Sequence, residues 1–351
     1  MENPHLGVGF FMTQGFKSNC CKTMRKNNRT RSGLTSDTES PTNPWDTYWK
    51  GTRQSSTYKE GETESHVLTR QWREGFEGLE YQAVRMLDIA SGYGIVAQMA
   101  TSAFGDRPHE ITCIDISEAA LDAIKGKIPS VKTQACDASK LPFEDSSFNL
   151  ITSQFGIEYA GEKAFLEACR VLEPEGTLMV IAHLAGGGIH KECEANYAAI
   201  KQFRESQFID RSLDLLETKM KRGSPQEDID LAFECAKPSI KTTADLIKKY
   251  GRGIAGGTLD KIFTDVARIS RNSQNYDPKE VLGWLDLMRI ELEAYSGRME
   301  SMCRAAIDDC QAAKLESALS GSGIQLKRFV KLPFADSGEN CAWLILGKKV
   351  A

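Results

Sequence analysis

Apolar and polar positions along the chain fall into distinct regimes. Between residues 84 and 185, short apolar runs alternate with segments of helical period: residues 84–89, 111–115, 131–137, 149–153 and 177–182 read as strands, with helices between them. Strands buried on both faces, separated by helices, indicate a parallel sheet clad on both sides. After Gly188 the strand pattern stops. Ile209, Leu213, Leu216 and Met220, and later Val281, Trp284, Leu285, Met288 and Leu292, recur at helical spacing, with breaks at residues 223–225, 251–257 and 277–278. Residues 324–334 and 341–347 read as two further strands joined by a polar turn.

Upstream of the sheet, Trp45, Tyr48 and Trp49 stand at i, i+3 and i+4, one face of a short helix. They can anchor this arm to the main domain or, with Thr52, cover a ligand cleft and exclude water; one helix can do both. Residues 1–40 show no hydrophobic periodicity and are expected to be a mobile leader. The expected organisation is a leader (1–40), an N-terminal helical arm (41–83), an α/β core (84–188), an all-helical insertion (189–320) and a closing strand pair (321–351). No internal repeat is evident.

The densest chemical signal is the segment VRMLDIASGYGIVA, residues 84–97. The strand ends in Asp88, and Ala90, Gly92 and Gly94 are small at every second position, so a ligand can touch bare backbone. The helix that follows aims unpaired N–H groups at that loop. Small residues after a strand also serve tight turns, so the downstream acids matter. Asp115 closes the second strand, where a carboxylate can accept bonds from both hydroxyls of a ribose, each contributing roughly 1.5–3 kcal/mol. Ser117 is the better candidate for capping the next helix. Asp137 follows the third strand and could accept from an exocyclic amine; alone, it would be an ordinary turn residue.

The segments LDIASGYG, CIDISEAAL, ACDASKLPFEDSSFNLITSQFGIEYA and EACRVLEPEGTLMVIAH resemble, in order and spacing, the signature segments of class I S-adenosylmethionine-dependent methyltransferases, in the type 11 and type 25 branch that acts on small molecules. The resemblance implies a doubly wound, mostly parallel seven-stranded α/β sheet of Rossmann-like form, with the helical insertion between the fifth and sixth strands as lid and substrate region. It implies S-adenosylmethionine as cofactor: Asp88, Ala90, Gly92 and Gly94 at its amino acid part, Asp115 at the ribose, Asp137 at the adenine, Ile116 and Ala138 flanking the ring, and Gln154 with Phe155 beneath the sulfonium. Two positions depart from the family pattern. Ala90 and Glu175 stand where glycine is common; the first is small enough to leave close approach open, and the second concerns turn geometry.

Substrate is expected near residues 154–159 and 183–190. An oxygen acceptor would benefit from a base, and His183, Glu158, Tyr159 and His190 are the candidates, with His183 directly after the fifth strand. His183 could equally bond backbone or cap a turn. The expected acceptor is a small molecule. A nicotinamide-dependent oxidoreductase is the rival enzyme; it would usually carry a third glycine at Ala97 and would not require Asp137 with its following segment. A noncatalytic binding protein of the same fold is the other alternative, and a dimer interface is the competing role for the insertion.

Composition changes little. The chain has 351 residues, 41% of them hydrophobic, enough for a full core, and a formal charge of −4 offers no electrostatic reason for a nucleic acid partner. No Asn-Pro-Pro, Asp-Pro-Pro or Pro-Cys box for base methylation is present. No apolar run approaches a membrane span, and the apolar piece of the leader precedes its basic cluster, so a cytoplasmic protein is expected. The ten cysteines, including the Cys20–Cys21 pair, show no zinc spacing and are expected to be reduced, with no bound metal.

Overall fold

The structure is a computed structural model that describes Trp45, residues 63–333 and residues 338–351. The expected leader, the Cys20–Cys21 pair, and Tyr48, Trp49 and Thr52 of the arm lie outside the described residues. After helix α1 (Thr63–Glu77), strand and helix alternate as β1 (Val84–Ile89), α2 (Ile95–Phe104), β2 (His109–Asp115), α3 (Glu118–Lys127), β3 (Lys132–Ala135), β4 (Phe148–Gln154), α4 (Glu162–Val171) and β5 (Leu172–His183). Helices α5 (Gly188–Glu205), α6 (Phe208–Met220), α7 (Gln226–Tyr250), α8 (Thr258–Arg271), α9 (Pro278–Ala305) and α10 (Asp309–Gly321) follow, then β6 (Ile324–Pro333) and β7 (Asn340–Lys349).

The seven strands form one sheet in the order β3-β2-β1-β4-β5-β7-β6. The first five are parallel, and β7 runs antiparallel to both β5 and β6. Strand order reverses between β1 and β4, so the crevice outside their carboxyl ends is the place where open α/β sheets bind ligands. Successive residues on each inner strand point to opposite faces. Met86, Cys113, Leu150 and Met179 enter one apolar cluster with α1, α2 and α3; Leu87, Ile114, Ile151 and Val180 enter the other with α4 and α10. Each face thus buries its own layer of helices, which is why these runs carry few polar side chains.

The helices after β5 divide in two. Residues from α5 to α9 extend the first cluster, through Ile200, Phe203, Leu216, Leu259, Ile262 and Leu285, and α9 contacts the short 3-10 turn Ile157–Ala160. In helix α8, Leu259, Ile262, Val266 and Ile269 form one buried stripe. Helix α10 instead packs Ala312, Leu315 and Leu319 onto the second face of the sheet. Within the stretch 189–320, helices α5 to α9 thus pack with the first cluster and α10 with the second, a division that an apolar stripe does not disclose because it does not name its partner. Ile307 ties the return to the site edge: its N–H donates to the His183 carbonyl at 2.9 Å.

The Glu175 departure has a plain geometric reading. Glu175 has φ +64°, the left-handed region that glycine enters most easily. The Tyr81 hydroxyl donates to its carbonyl at 2.9 Å and Lys348 pairs with its carboxylate at 2.7 Å. The turn lies at the start of β5, far from the crevice end of the strands.

Among the described residues, no helix is long and apolar enough to cross a membrane.

Candidate active site

The loop after β1 has to turn sharply between strand and helix, and Ala90, Gly92 and Gly94 do so with φ of +53°, +51° and +74°. Gly94 is constrained twice, since an added Cβ would come within 3.0 Å of the Ile124 side chain of α3. The Ser91 N–H and hydroxyl both donate to the Ile114 carbonyl, locking the loop against β2. Ala90 takes the strained left-handed state that glycine would adopt freely. Its methyl is accommodated by Gly156 across the rim, where an added Cβ would lie only 2.5 Å from the Ala90 Cβ. The small residue needed for close approach is shared between the two loops.

Asp88 lies in β1, one residue before its end, and is fully buried. One carboxylate oxygen accepts the Thr152 hydroxyl at 2.8 Å; the other has no hydrogen-bond partner. Burial pushes its pKa from the ordinary 3.8 up to about 7, opposed by the Thr152 bond and reinforced by the charge of Asp115. A buried, unsatisfied carboxylate oxygen is costly, and a cationic ligand group would relieve it.

Asp115 is buried at the end of β2, where Gly92 N–H and Ser117 N–H each donate to it at 2.9 Å. These bonds orient the carboxylate at the rim. A carboxylate has about four lone-pair sites, so orientation and ribose binding are compatible. Ser117 caps α3 by accepting from Ala120 N–H. Ile116 is 63% exposed, an isolated apolar side chain beside the acid that suits a flat ring. Asp137 is exposed and bonded to Ser139 N–H at 2.8 Å, with half-buried Ala138 beside it. Cys136 N–H donates to the Asp115 carbonyl, so Asp88 on β1, Asp115 at the end of β2 and Asp137, two residues past β3, lie at the same end of neighbouring strands. Arg170 holds the loop after Asp137, donating to the Phe143 and Leu141 carbonyls and pairing with Asp145 and Glu167.

The edge after β4 and β5 carries the acceptor-side candidates. Gln154 accepts from the fully buried Trp72 indole N–H at 2.5 Å, which directs its amide NH2 away from the indole. Phe155 is left-handed, at φ +53°, and its ring centroid lies 4.5 Å from that of His183. Glu158 and His183 form a buried pair: one Glu158 oxygen accepts the His183 backbone N–H at 2.9 Å and meets ring Nδ1 at 2.6 Å. The other Glu158 oxygen is buried without a hydrogen-bond partner. Tyr159 stands edge-on to His183 at 5.8 Å and to Trp45 at 5.3 Å. Trp45 therefore packs against the turn Ile157–Ala160. His190 is separate, on α5, 3.4 Å from Glu194.

Sequence reading missed Thr152, Gly156 and Trp72. Trp72 belongs to a buried i, i+4 series with Leu68 and Phe76, a readable signal for a core helix but not for a contact to Gln154. Thr152 pairs in register with Asp88 across β1 and β4, which no linear spacing reveals.

Residues 87–180 match the family described as methyltransferase domain. The demethylmenaquinone methyltransferase of Renibacterium salmoninarum is 34% identical over 120 residues, covering 32% of this chain and 47% of that protein. The ubiquinone/menaquinone biosynthesis C-methyltransferase of Rickettsia massiliae is 34% identical over 125 residues, 32% of this chain and 50% of that protein. The chain spans about half the length of the curated relatives it matches. Among solved structures, a SAM-dependent methyltransferase from Aquifex aeolicus aligns over 83% of this chain and 95% of its own, at 11% identity and a TM-score of 0.40. By the matched domain, its motifs and its strand order, residues 87–180 are similar to the methyltransferase domain of class I S-adenosylmethionine-dependent methyltransferases.

Proposed function

We propose that this chain transfers the methyl group of S-adenosylmethionine to a small-molecule acceptor held between residues 154–159 and 183–190. The observation that carries the reading is the rim itself: an orphaned buried oxygen on Asp88, the oriented carboxylate of Asp115, exposed Ile116 and Asp137 follow one another along the strand ends. That order suits an amino acid, a ribose and an adenine in succession. When bound, S-adenosylmethionine supplies a methyl carbon on a positively charged sulfur.

The protein's own part is mainly alignment, which can account for roughly 7–11 kcal/mol of barrier reduction. Asp88 would take the ammonium group, Asp115 the ribose hydroxyls and Asp137 the adenine amine. Gln154 and Phe155 would form the floor at the reacting carbon. Helix α9, against the turn Ile157–Ala160, would limit the acceptor to a small molecule. The curated relatives, named for C-methylation in quinone biosynthesis, support that acceptor size.

Calorimetric titration with S-adenosylmethionine and, separately, with NADH tests the reading. Saturable binding of the first and none of the second is expected; the reverse overturns it. Asp115→Ala removes up to two charge-assisted bonds and should weaken cofactor binding by about 10²–10⁴-fold. An unchanged dissociation constant would remove Asp115 from the site.

A further inference from the structure

We infer that Trp72 is a positioning residue: it turns the side-chain amide of Gln154 so that the NH2 group donates to the carboxylate of the bound cofactor, and the pair selects a ligand whose amino acid end is intact. The inference rests on the methyltransferase reading and gives the Gln154 amide a binding role beyond the floor beneath the sulfonium.

The orientation follows from the donor. An indole N–H can only donate, so the 2.5 Å contact from Trp72 fixes the Gln154 oxygen on the indole side and leaves the NH2 on the other. Among the described residues that NH2 has no hydrogen-bond partner. It is also not buried, since Gln154 is a half-buried residue at the carboxyl end of β4.

Trp72 is held firmly enough to set this angle. It is fully buried on α1 and stacked on Phe76 at 5.6 Å. The helix itself is seated on β5 at Gly75, where an added Cβ would lie 2.4 Å from the Met179 sulfur, and Arg328 of β6 donates to Gln71 at 3.2 Å. A buried indole N–H needs an acceptor, but a core residue lower on the sheet would serve that need. The acceptor here is the last residue of β4, and only half of its amide is used.

Strand geometry identifies the ligand group. Met86 pairs with Leu150 and Asp88 with Thr152, and Met86, Leu150 and Trp72 belong to one apolar cluster. Side chains alternate along a strand, so Asp88, Thr152 and Gln154 point to that same face, with Gln154 about 6–7 Å beyond Thr152 toward the rim. The unpartnered Asp88 oxygen and the Gln154 NH2 are thus an acceptor and a donor in succession on one face. Two hydrogen bonds of about 2.9 Å with an α-amino acid group between them span such a separation. The ammonium meets the Asp88 carboxylate. The ligand carboxylate meets Gln154, a donor that offsets its repulsion by Asp88 and Asp115.

The test measures, by calorimetry on the full chain, the affinity for S-adenosylhomocysteine and for S-adenosyl-3-thiopropylamine, the same molecule without its carboxylate. Wild type should prefer the first by about 10–100-fold, the worth of one hydrogen bond to a charged group. Gln154→Glu keeps an acceptor for the indole and puts a carboxylate oxygen where the NH2 stood; it should abolish or reverse that preference. Trp72→Phe keeps an aromatic ring in the core and frees the amide, and should cut the preference about 2–10-fold, the cost of ordering one released side chain. A Trp72 that only packs would lower the melting temperature and leave the preference at its wild-type value, which overturns the positioning role. Should Trp72→Phe not fold, the indole N–H resonances of isotope-labelled wild type decide the same point: one should shift with the first probe and not with the second, and the absence of that difference overturns the role equally. No preference in wild type, or equal losses of both probes in Gln154→Glu, overturns the carboxylate assignment and leaves the methyltransferase reading standing. A wild-type protein that binds neither probe refutes that reading instead.

Discussion

Replacing Asp88 with Asn separates what this residue does for binding from what it does to the fold. The wild-type carboxyl ionises at about 7 when folded and near 3.8 when unfolded. Between these values the native state holds a proton that the unfolded chain has released, so stability is highest at low pH and falls as pH rises through 7. At 1.36 kcal/mol per tenfold, the full effect is about 4 kcal/mol, of which about 3 kcal/mol is lost between pH 5 and pH 8. Asparagine keeps an acceptor for Thr152 and cannot ionise, although its amide N–H groups replace an oxygen that already lacked a partner and can cost about 1–3 kcal/mol. Urea unfolding followed by tryptophan fluorescence, repeated from pH 5 to pH 8.5, should give a wild-type stability that declines relative to Asp88→Asn by about 3 kcal/mol. Cofactor affinity should move the opposite way: rising through pH 7 in wild type as the carboxylate forms, weak and flat in the variant. Parallel stability profiles for the two proteins would refute the reasoning, because they would mean that Asp88 ionises alike in both states.

Gly156→Ala should destabilise by about 1–3 kcal/mol, since its methyl would overlap that of Ala90. The double variant with Ala90→Gly should recover part of that loss in a thermal-unfolding cycle, and additive effects would show that the two loops do not share the space. Arg170→Ala removes the tie across the loop following Asp137. It should lower stability by about 1–3 kcal/mol and weaken cofactor binding several-fold, as read by calorimetry, with methyl-acceptor affinity at saturating cofactor unaffected.

Much of the geometry of the candidate rim was legible because it is written locally. A strand ending in an acid, followed by residues small enough for a left-handed turn, must bring Asp88 and the loop at Ala90, Gly92 and Gly94 together within a few residues. The same holds for Asp115 before its capped helix. Left-handed Phe155 left no trace in the sequence, because a bulky residue there is held by its surroundings rather than by its own preference. His183 and Glu158 were both named as candidates on separate segments, yet their union was not, nor was the exclusion of His190 from it.

By itself, the sequence determined the alternation of strand and helix, the order of the acids along the rim and the onset of the helical stretch, since these follow from periodicity and from residues close in the chain. Only the tertiary structure decided which side chains meet: Trp72 with Gln154 across 82 residues, Asp88 with Thr152 across 64, Glu158 with His183 across 25. It also assigned α10 to the sheet and α9 to the rim. Those choices depend on which apolar stripe packs against which face, and hydrophobic attraction, being non-directional, leaves that selection to the shape of the assembled core.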